Sequence, residues 1–334
     1  MVSPIQFIAI YHVYQIIKPL HYIILILIQF FFYQGAMAWG FYAHQEINRM
    51  AVFTLPTPLI SIYKTNIKYI TEHAVDADKR RYLMKEEACR HYLDCNRYEL
   101  SLPLDTIPKT WKSAVEKYGE DSLKAHGIVP WHVYFVYYKL VQAFKEKNNL
   151  QIIKLSADLG HYIGDLHVPL HTTSNYNGQL TGQEGIHALW ESRLPPMFDS
   201  TYDFFVGKAK YVENPINEIW SVLERSHTLV DSVLNFEIKA SSYFSEKEKY
   251  TFLPTNYGIK KEYSEAFSAK YHMLMNGMVE ERMTKAILFL GSFWYSAWID
   301  AGQPILENFP LLPDEDDETP KVPENGVMIG RKEE

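Results

Sequence analysis

Residues 150–171 read LQIIKLSADLGHYIGDLHVPLH and hold three histidines and an aspartate within eleven residues. Leu150–Leu166 repeats its apolar residues at helical spacing. Pro169 ends that helix, because it has no N–H to donate and its ring crowds the preceding turn. His161 and Asp165 are four residues apart and so project from one helix face. His171 lies past the proline and can point to a neighbouring site, while His167 is either a further ligand or a partner standing behind the ligands. The same periodicity recurs in Pro56–Ala74, with Leu59, Tyr63, Ile67 and Ile70 on one stripe. It recurs again in Pro130–Lys147, Ile216–Phe244 and Lys261–Ile299. Strand alternation is scarce, so the expected fold is all-α, a single multi-helix bundle domain over residues 39–312, with Trp294, Tyr295 and Trp298 packed inside. Thr172–Gly185, TTSNYNGQLTGQEG, reads as a polar loop between two helices, and residues 313–334 as a disordered acidic tail.

The composition agrees. A chain of 334 residues that is 47% hydrophobic and 22% charged can bury a large core, which excludes a disordered, collagen-like or disulfide-stapled protein. Its net charge of -7 argues against a strongly basic nucleic-acid scaffold but leaves room for a local basic groove. The charge is unevenly spread: residues 1–38 hold Lys18 and no Arg, Asp or Glu. Tyr22–Phe32, YIILILIQFFF, has the length of a signal-peptide core and is short for a bilayer span of roughly 20 residues. Ala36-Met37-Ala38 is an A-x-A cleavage site. The expectation is therefore a signal peptide over 1–38, cleaved at Ala38/Trp39, and a secreted or periplasmic protein; an uncleaved membrane anchor or an over-extended start are the alternatives. Cys89 and Cys95 read equally as a small disulfide or as two buried thiols.

Three His-x-x-x-acid pairs follow the leader: His161/Asp165, His187/Glu191 and His227/Asp231. Each taken singly suits a surface hydrogen bond as well as a metal. His227/Asp231 has no chemical company and reads as a solvated helix face. The other two are joined by a short polar loop, with His171 between them. Upstream stand Trp39, which cleavage would make a free amine beside its own carbonyl, then His44, Asp76, Asp78 and His91.

In this order the residues resemble the superfamily that joins zinc-dependent phospholipase C with the single-strand-specific zinc nucleases. That family begins its mature chain with Trp, followed by His, Asp, His, then His-x-x-x-Asp-x-x-x-x-x-His, then His-x-x-x-Asp/Glu. The pattern falls here on Trp39, His44, Asp76, His91, His161, Asp165, His171, His187 and Glu191. The resemblance implies an all-α domain holding a trizinc cluster. Asp76, His91, His161 and Asp165 would hold one zinc, and His171, His187 and Glu191 a second. Trp39 and His44 would hold a third with Asp165, which would bridge. Asp78 is either a partner behind the ligands or the ligand in place of Asp76, with the spacing to His91 favouring Asp76. Asp165 and Asp76 carry the expected catalysis.

The activity implied is phosphodiester hydrolysis, in which hydroxide held between metals attacks phosphorus. Glu191 at the last position resembles the phospholipase branch, whereas the Trp39–His44 and Asp76–His91 spacings resemble the nuclease branch, whose several cysteines are missing here. A phospholipase C-like activity with transient membrane-surface contact is placed slightly ahead of a nuclease or nucleotidase acting on single-stranded nucleic acid. Tyr176 would stack a base or line an acyl groove. No obligate protein partner is inferred, and the rival from another class is a secreted helical binding protein without catalysis.

Overall fold

The computed structural model describes residues 40–99, 102–255, 258–306, 309–313, 320–322 and 328–331. The expected signal peptide and Trp39 lie outside these residues. Helix α1 (Phe41–Ala51) carries His44. The expected helix Pro56–Ala74 is two helices, α2 (Leu59–Thr65) and α3 (Ile67–Glu72), parted at Asn66. The Asn66 Nδ2 donates to the carbonyls of Ile62 and Pro310 at 3.2 Å each, and its Oδ1 accepts from the Leu312 N–H at 2.9 Å. A buried amide thus competes with the helix for backbone partners and ties the break to residues 310–312.

Short elements follow: α4 (Asp76–Arg80), α5 (Trp111–Tyr118) and α6 (Glu120–His126). The long helices α7 (Val129–Lys145) and α8 (Asn149–His167) then form a hairpin. Helix α8 starts at Asn148, whose side chain accepts from the Gln151 N–H at 3.2 Å, and it ends where Val168 turns extended before Pro169. From Leu159 to His167 every residue of α8 is buried. Such a stretch, hydrophobic on one side, must find partners for its polar groups on the other.

After α9 (Leu194–Phe198), the expected helix Ile216–Phe244 is divided at Leu229 into α10 (Pro215–Thr228) and α11 (Val230–Ser241). A single-turn helix, α12 (Glu246–Lys249), leads into an antiparallel hairpin the sequence did not betray. Its strands are β1 (Tyr250–Thr255) and β2 (Gly258–Tyr263), with Tyr250 opposite Tyr263. Lys261, expected to open a long helix, sits in β2 with its Nζ 3.6 Å from the centre of the Tyr250 ring. The helix itself is α13 (Glu265–Met275) and α14 (Met278–Asp300). Asn276 (φ 49°) and Gly277 (φ 82°) separate the two, both in the left-handed region that these residue types enter cheaply.

The described structure is mostly helical, as expected. Helix α8 packs against α1, α7, α10 and α14. The main core holds Tyr63, Tyr137, Phe144, Ile163 and Trp294, with Tyr295 and Trp298 half-buried against it. A second core holds Ala43, Trp190, Phe267 and Tyr271. Helix α1 serves both, Ile47 in the first and Ala43 in the second, so His44 sits at the seam. Among the described residues no helix is long and apolar enough to cross a membrane. Cys89 and Cys95 are free and buried.

Within the stretch expected to be a disordered tail, residues 328–331 make contacts with the body. There the Ile329 N–H donates to the Arg81 carbonyl at 3.0 Å, and Arg81 Nη2 donates to the Arg331 carbonyl at 2.6 Å. Composition reports how little such a segment can bury alone. It does not report that the body offers it partners.

Candidate metal centre

His161 and Asp165 on α8 form the middle of the site, with Nε2 and Oδ2 3.3 Å apart. The His161 Nδ1–H donates to the Ala74 carbonyl at 2.9 Å, so Nε2, which faces the carboxylate, is the nitrogen that a metal would take once its proton leaves. His91 brings its Nδ1 within 3.0 Å of both His161 Nε2 and Asp165 Oδ2. The other Asp165 oxygen, Oδ1, lies 3.5 Å from His44 Nε2 and 3.4 Å from His171 Nδ1. Beyond it, His171, His187 and Glu191 converge. The two Nε2 atoms are 2.9 Å apart, and Glu191 Oε2 is 2.8 Å from His187 and 3.3 Å from His171. Glu191 Oε1 reaches back to His44 Nε2 at 3.2 Å. The turn holding His187 and Glu191 is π-helical over Ala188–Arg193, a wider turn than expected, and it still brings the pair together.

Three groups of ligand-type atoms result, each with all its atoms within 4.8 Å of one another: Asp78/His91/His161, His44/His161/Asp165 and His171/His187/Glu191. Two ligands of one tetrahedral zinc stand about 3.3 Å apart, given bonds of about 2.0 Å. The separations above match that figure. Among the described residues, the buried Asp165 Oδ2 makes no hydrogen bond although imidazole nitrogens stand 3.0 and 3.3 Å from it. His44 Nδ1, His91 Nε2 and His187 Nδ1 are also unbonded, but they are the ring nitrogens turned away from the Asp165 and Glu191 carboxylates. Burying charge without partners costs several kcal/mol per group, so a cluster of this density calls for protons or a cation at its centre. Imidazole and carboxylate donors suit Zn²⁺, and these residues fit a metal.

The electrostatics agree. Burial acts to lower the pKa of His161, but the Asp165 and Asp78 carboxylates outweigh it and push the value up to about 9. Burial acts to raise Asp165, yet the surrounding imidazoles, His161 first, hold it well below the carboxylate range. Glu191 is held low against its burial in the same way, by His171 foremost.

The structure places Asp78 in the cluster, not Asp76. Asp78 Oδ1 lies 3.7 Å from both His91 Nδ1 and His161 Nε2. Asp76 instead accepts from Lys79 Nζ at 2.7 Å and pairs with His73 Nδ1 at 2.5 Å. Two residues two positions apart on a helix point to opposite sides, so α4 can aim only one of them at His91. His167 is also outside the cluster: its Nδ1–H donates to the Ile163 carbonyl at 2.8 Å, and its ring lines a separate cleft of about 770 Å³ with Arg225, Arg282 and Lys285. No residue of the metal cluster lines that cleft. His227, expected on a solvated face, is half-buried with its Nδ1 3.1 Å from Thr172 Oγ1.

Two contributors escaped the sequence reading. Glu87 is fully buried, bonded to the Tyr162 hydroxyl and to Arg90 Nη1 at 2.6 Å, and faces His91 Nε2 at 3.7 Å. It stands four residues before His91, an acid-x-x-x-His spacing that could have been noticed. Gly164 is the other. A Cβ there would lie 2.6 Å from His44 Nδ1, so only glycine lets α1 bring His44 against α8. No protein-family model matches the chain. No curated protein matches it either.

Proposed function

We propose that this protein is a zinc-dependent phosphodiester hydrolase of the kind its ligand order resembles, exported and cleaved before Trp39. The observation that carries the reading is the Asp165 carboxylate, whose two oxygens face different imidazoles, His91 and His161 on one side and His44 and His171 on the other. Asp78, His91, His161 and Asp165 would hold one ion, and His171, His187 and Glu191 another. His44 and Asp165 would hold a third with the Trp39 amine. Zinc bound there would supply Lewis acidity toward phosphate oxygens and would lower the pKa of water at the site.

The chain's own residues do the rest. The Ala74 and His91 carbonyls fix which nitrogens of His161 and His171 carry protons. Burial of the cluster keeps competing water away and strengthens every charge interaction inside it. Asp165 and Glu191, held ionised, offset the positive charge of the ions. No side chain need act as a nucleophile, and Asp165 is the residue whose loss would disturb two ions together.

Glu191 at the last position resembles the phospholipase branch and puts a phospholipase C-like substrate slightly ahead. The nuclease alternative draws on a different observation: Tyr92 and Tyr176 flank the cluster and hold a planar group, the Arg331 guanidinium, at 3.4 and 4.6 Å from their ring centres. Bases of single strands are held by stacking of that sort. The test is hydrolysis by the zinc-loaded protein, run in parallel on phosphatidylcholine vesicles and single-stranded DNA. Cleavage of either supports a phosphodiesterase and chooses the branch. Cleavage of neither by a zinc-loaded protein favours the secreted binding protein.

A further inference from the structure

We infer that residues 328–331 form a strap that closes the approach to the metal cluster, latched by Arg331 between Tyr92 and Tyr176. The inference rests on reading the cluster as the reaction site. The least buried members of the cluster are Asp78 and Glu191, whose side chains are 14% and 11% exposed, so they mark the side from which a substrate could come. The strap lies on the Asp78 flank. Its Arg331 carbonyl accepts from Arg81, and Arg81 Nη1 is itself 3.6 Å from Asp78 Oδ1.

Arg331 then reaches across. Its guanidinium lies over the ring of Tyr92, the neighbour of His91, and over the ring of Tyr176, which stands 6.3 Å from the His187 ring. Its Nη2 donates to Asp94 Oδ1. One side chain therefore spans from the His91 side of the cluster to the His187 side. The backbone is fitted to the same place. Gly330 has φ +99°, and a Cβ on it would sit 2.5 Å from the Ala88 Cβ, so glycine is required for the strap to lie down.

The grip on Arg331 is the reversible kind. A planar cation on two aromatic faces with a carboxylate at its edge is held by stacking and charge, which salt weakens and a competing planar group could displace. The strap thus acts as an internal competitor: open, the Tyr92–Tyr176 slot and the Asp78 flank are accessible; closed, they are covered.

The experiment compares the full chain with Arg331→Ala, Arg331→Lys and Gly330→Ala. Amide hydrogen exchange over residues 81–94 and 174–177 is measured on metal-free protein, and the rate of zinc extraction by EDTA on loaded protein. Arg331→Ala removes the latch and Gly330→Ala lifts the backbone, so both should speed exchange over both stretches and speed extraction by about tenfold. Arg331→Lys keeps the charge but loses the planar stack and should fall between. Added salt should speed extraction from the parent and leave Arg331→Ala unmoved. Equal exchange in the parent and both Ala variants would overturn the strap. So would equal extraction rates. A chain that binds no zinc would refute the metal reading, while the exchange comparison still decides the strap.

Discussion

Helix α8 and the segment Asp76–Asp94 bring residues to the same cluster by opposite means. The helix offers His161 and Asp165 from one continuous face, set four residues apart and buried on every side. The segment has a helix of five residues and short turns, and it is held in place from outside. Arg80 pairs with Asp158 at 3.0 Å and lies within 3.4 Å of Glu87, while Glu87 stands behind His91. One region positions ligands by backbone regularity, and the other by a buried network of charges. Rigidity from periodicity leaves a trace in sequence, whereas rigidity from long-range ion pairs leaves very little.

That contrast can be broken at several points. The largest effect belongs to the helix: Asp165→Asn should cost on the order of 10³-fold in turnover and lower zinc content, because this carboxylate would hold two of the proposed ions. Full turnover with metal retained would remove its bridging role. Next is Asp78→Asn against Asp76→Asn. The first should cut zinc affinity by at least tenfold, while the second should keep zinc and lose about 1 kcal/mol of stability through its bonds to His73 and Lys79. The reverse result in metal titrations would restore Asp76 to the site.

Glu87→Gln tests the network directly. It keeps the shape but weakens the pull on His91, and a 10- to 100-fold loss of zinc affinity is expected, as for other groups that stand behind ligands. Gly164→Ala tests the helix packing. Its methyl group meets His44 Nδ1, at a cost of about 1–3 kcal/mol that exceeds the 0.5–1 kcal/mol alanine gains in a helix. The melting temperature should therefore fall; a rise would mean that α1 can move aside. The smallest signal is a proton count. His161, with its pKa near 9, is protonated at pH 7 in the metal-free protein, so zinc must displace a proton. Calorimetric titration should show a heat that depends on the buffer, and affinity should rise between pH 7 and 9.

The sequence was most legible where chemistry rode on periodicity. His161/Asp165 and His187/Glu191 are close in space as their spacing implied, and His171 sits between them. The all-α class is also visible, although the β1–β2 hairpin is not, because the last three residues of its second strand, Lys261–Tyr263, run straight into an apolar helix. Helix ends were lost where a buried Asn66 or the Asn276–Gly277 pair broke a stripe whose apolar period continued past the break. Asp78 was passed over because spacing along the chain favoured its neighbour, while the direction of a side chain on a one-turn helix depends on what surrounds it. The docking of Arg331 depends on Tyr92, Asp94 and Tyr176, residues more than a hundred positions away. No local pattern records such a meeting.

Whether these buried imidazoles and carboxylates hold metal ions is tested most directly by elemental analysis of the purified chain, exported and cleaved before Trp39, after dialysis against zinc and removal of the excess. About three zinc ions per chain are expected, falling to about two if residues 1–38 remain attached. A well-folded, correctly cleaved chain that retains none would contradict the metal reading.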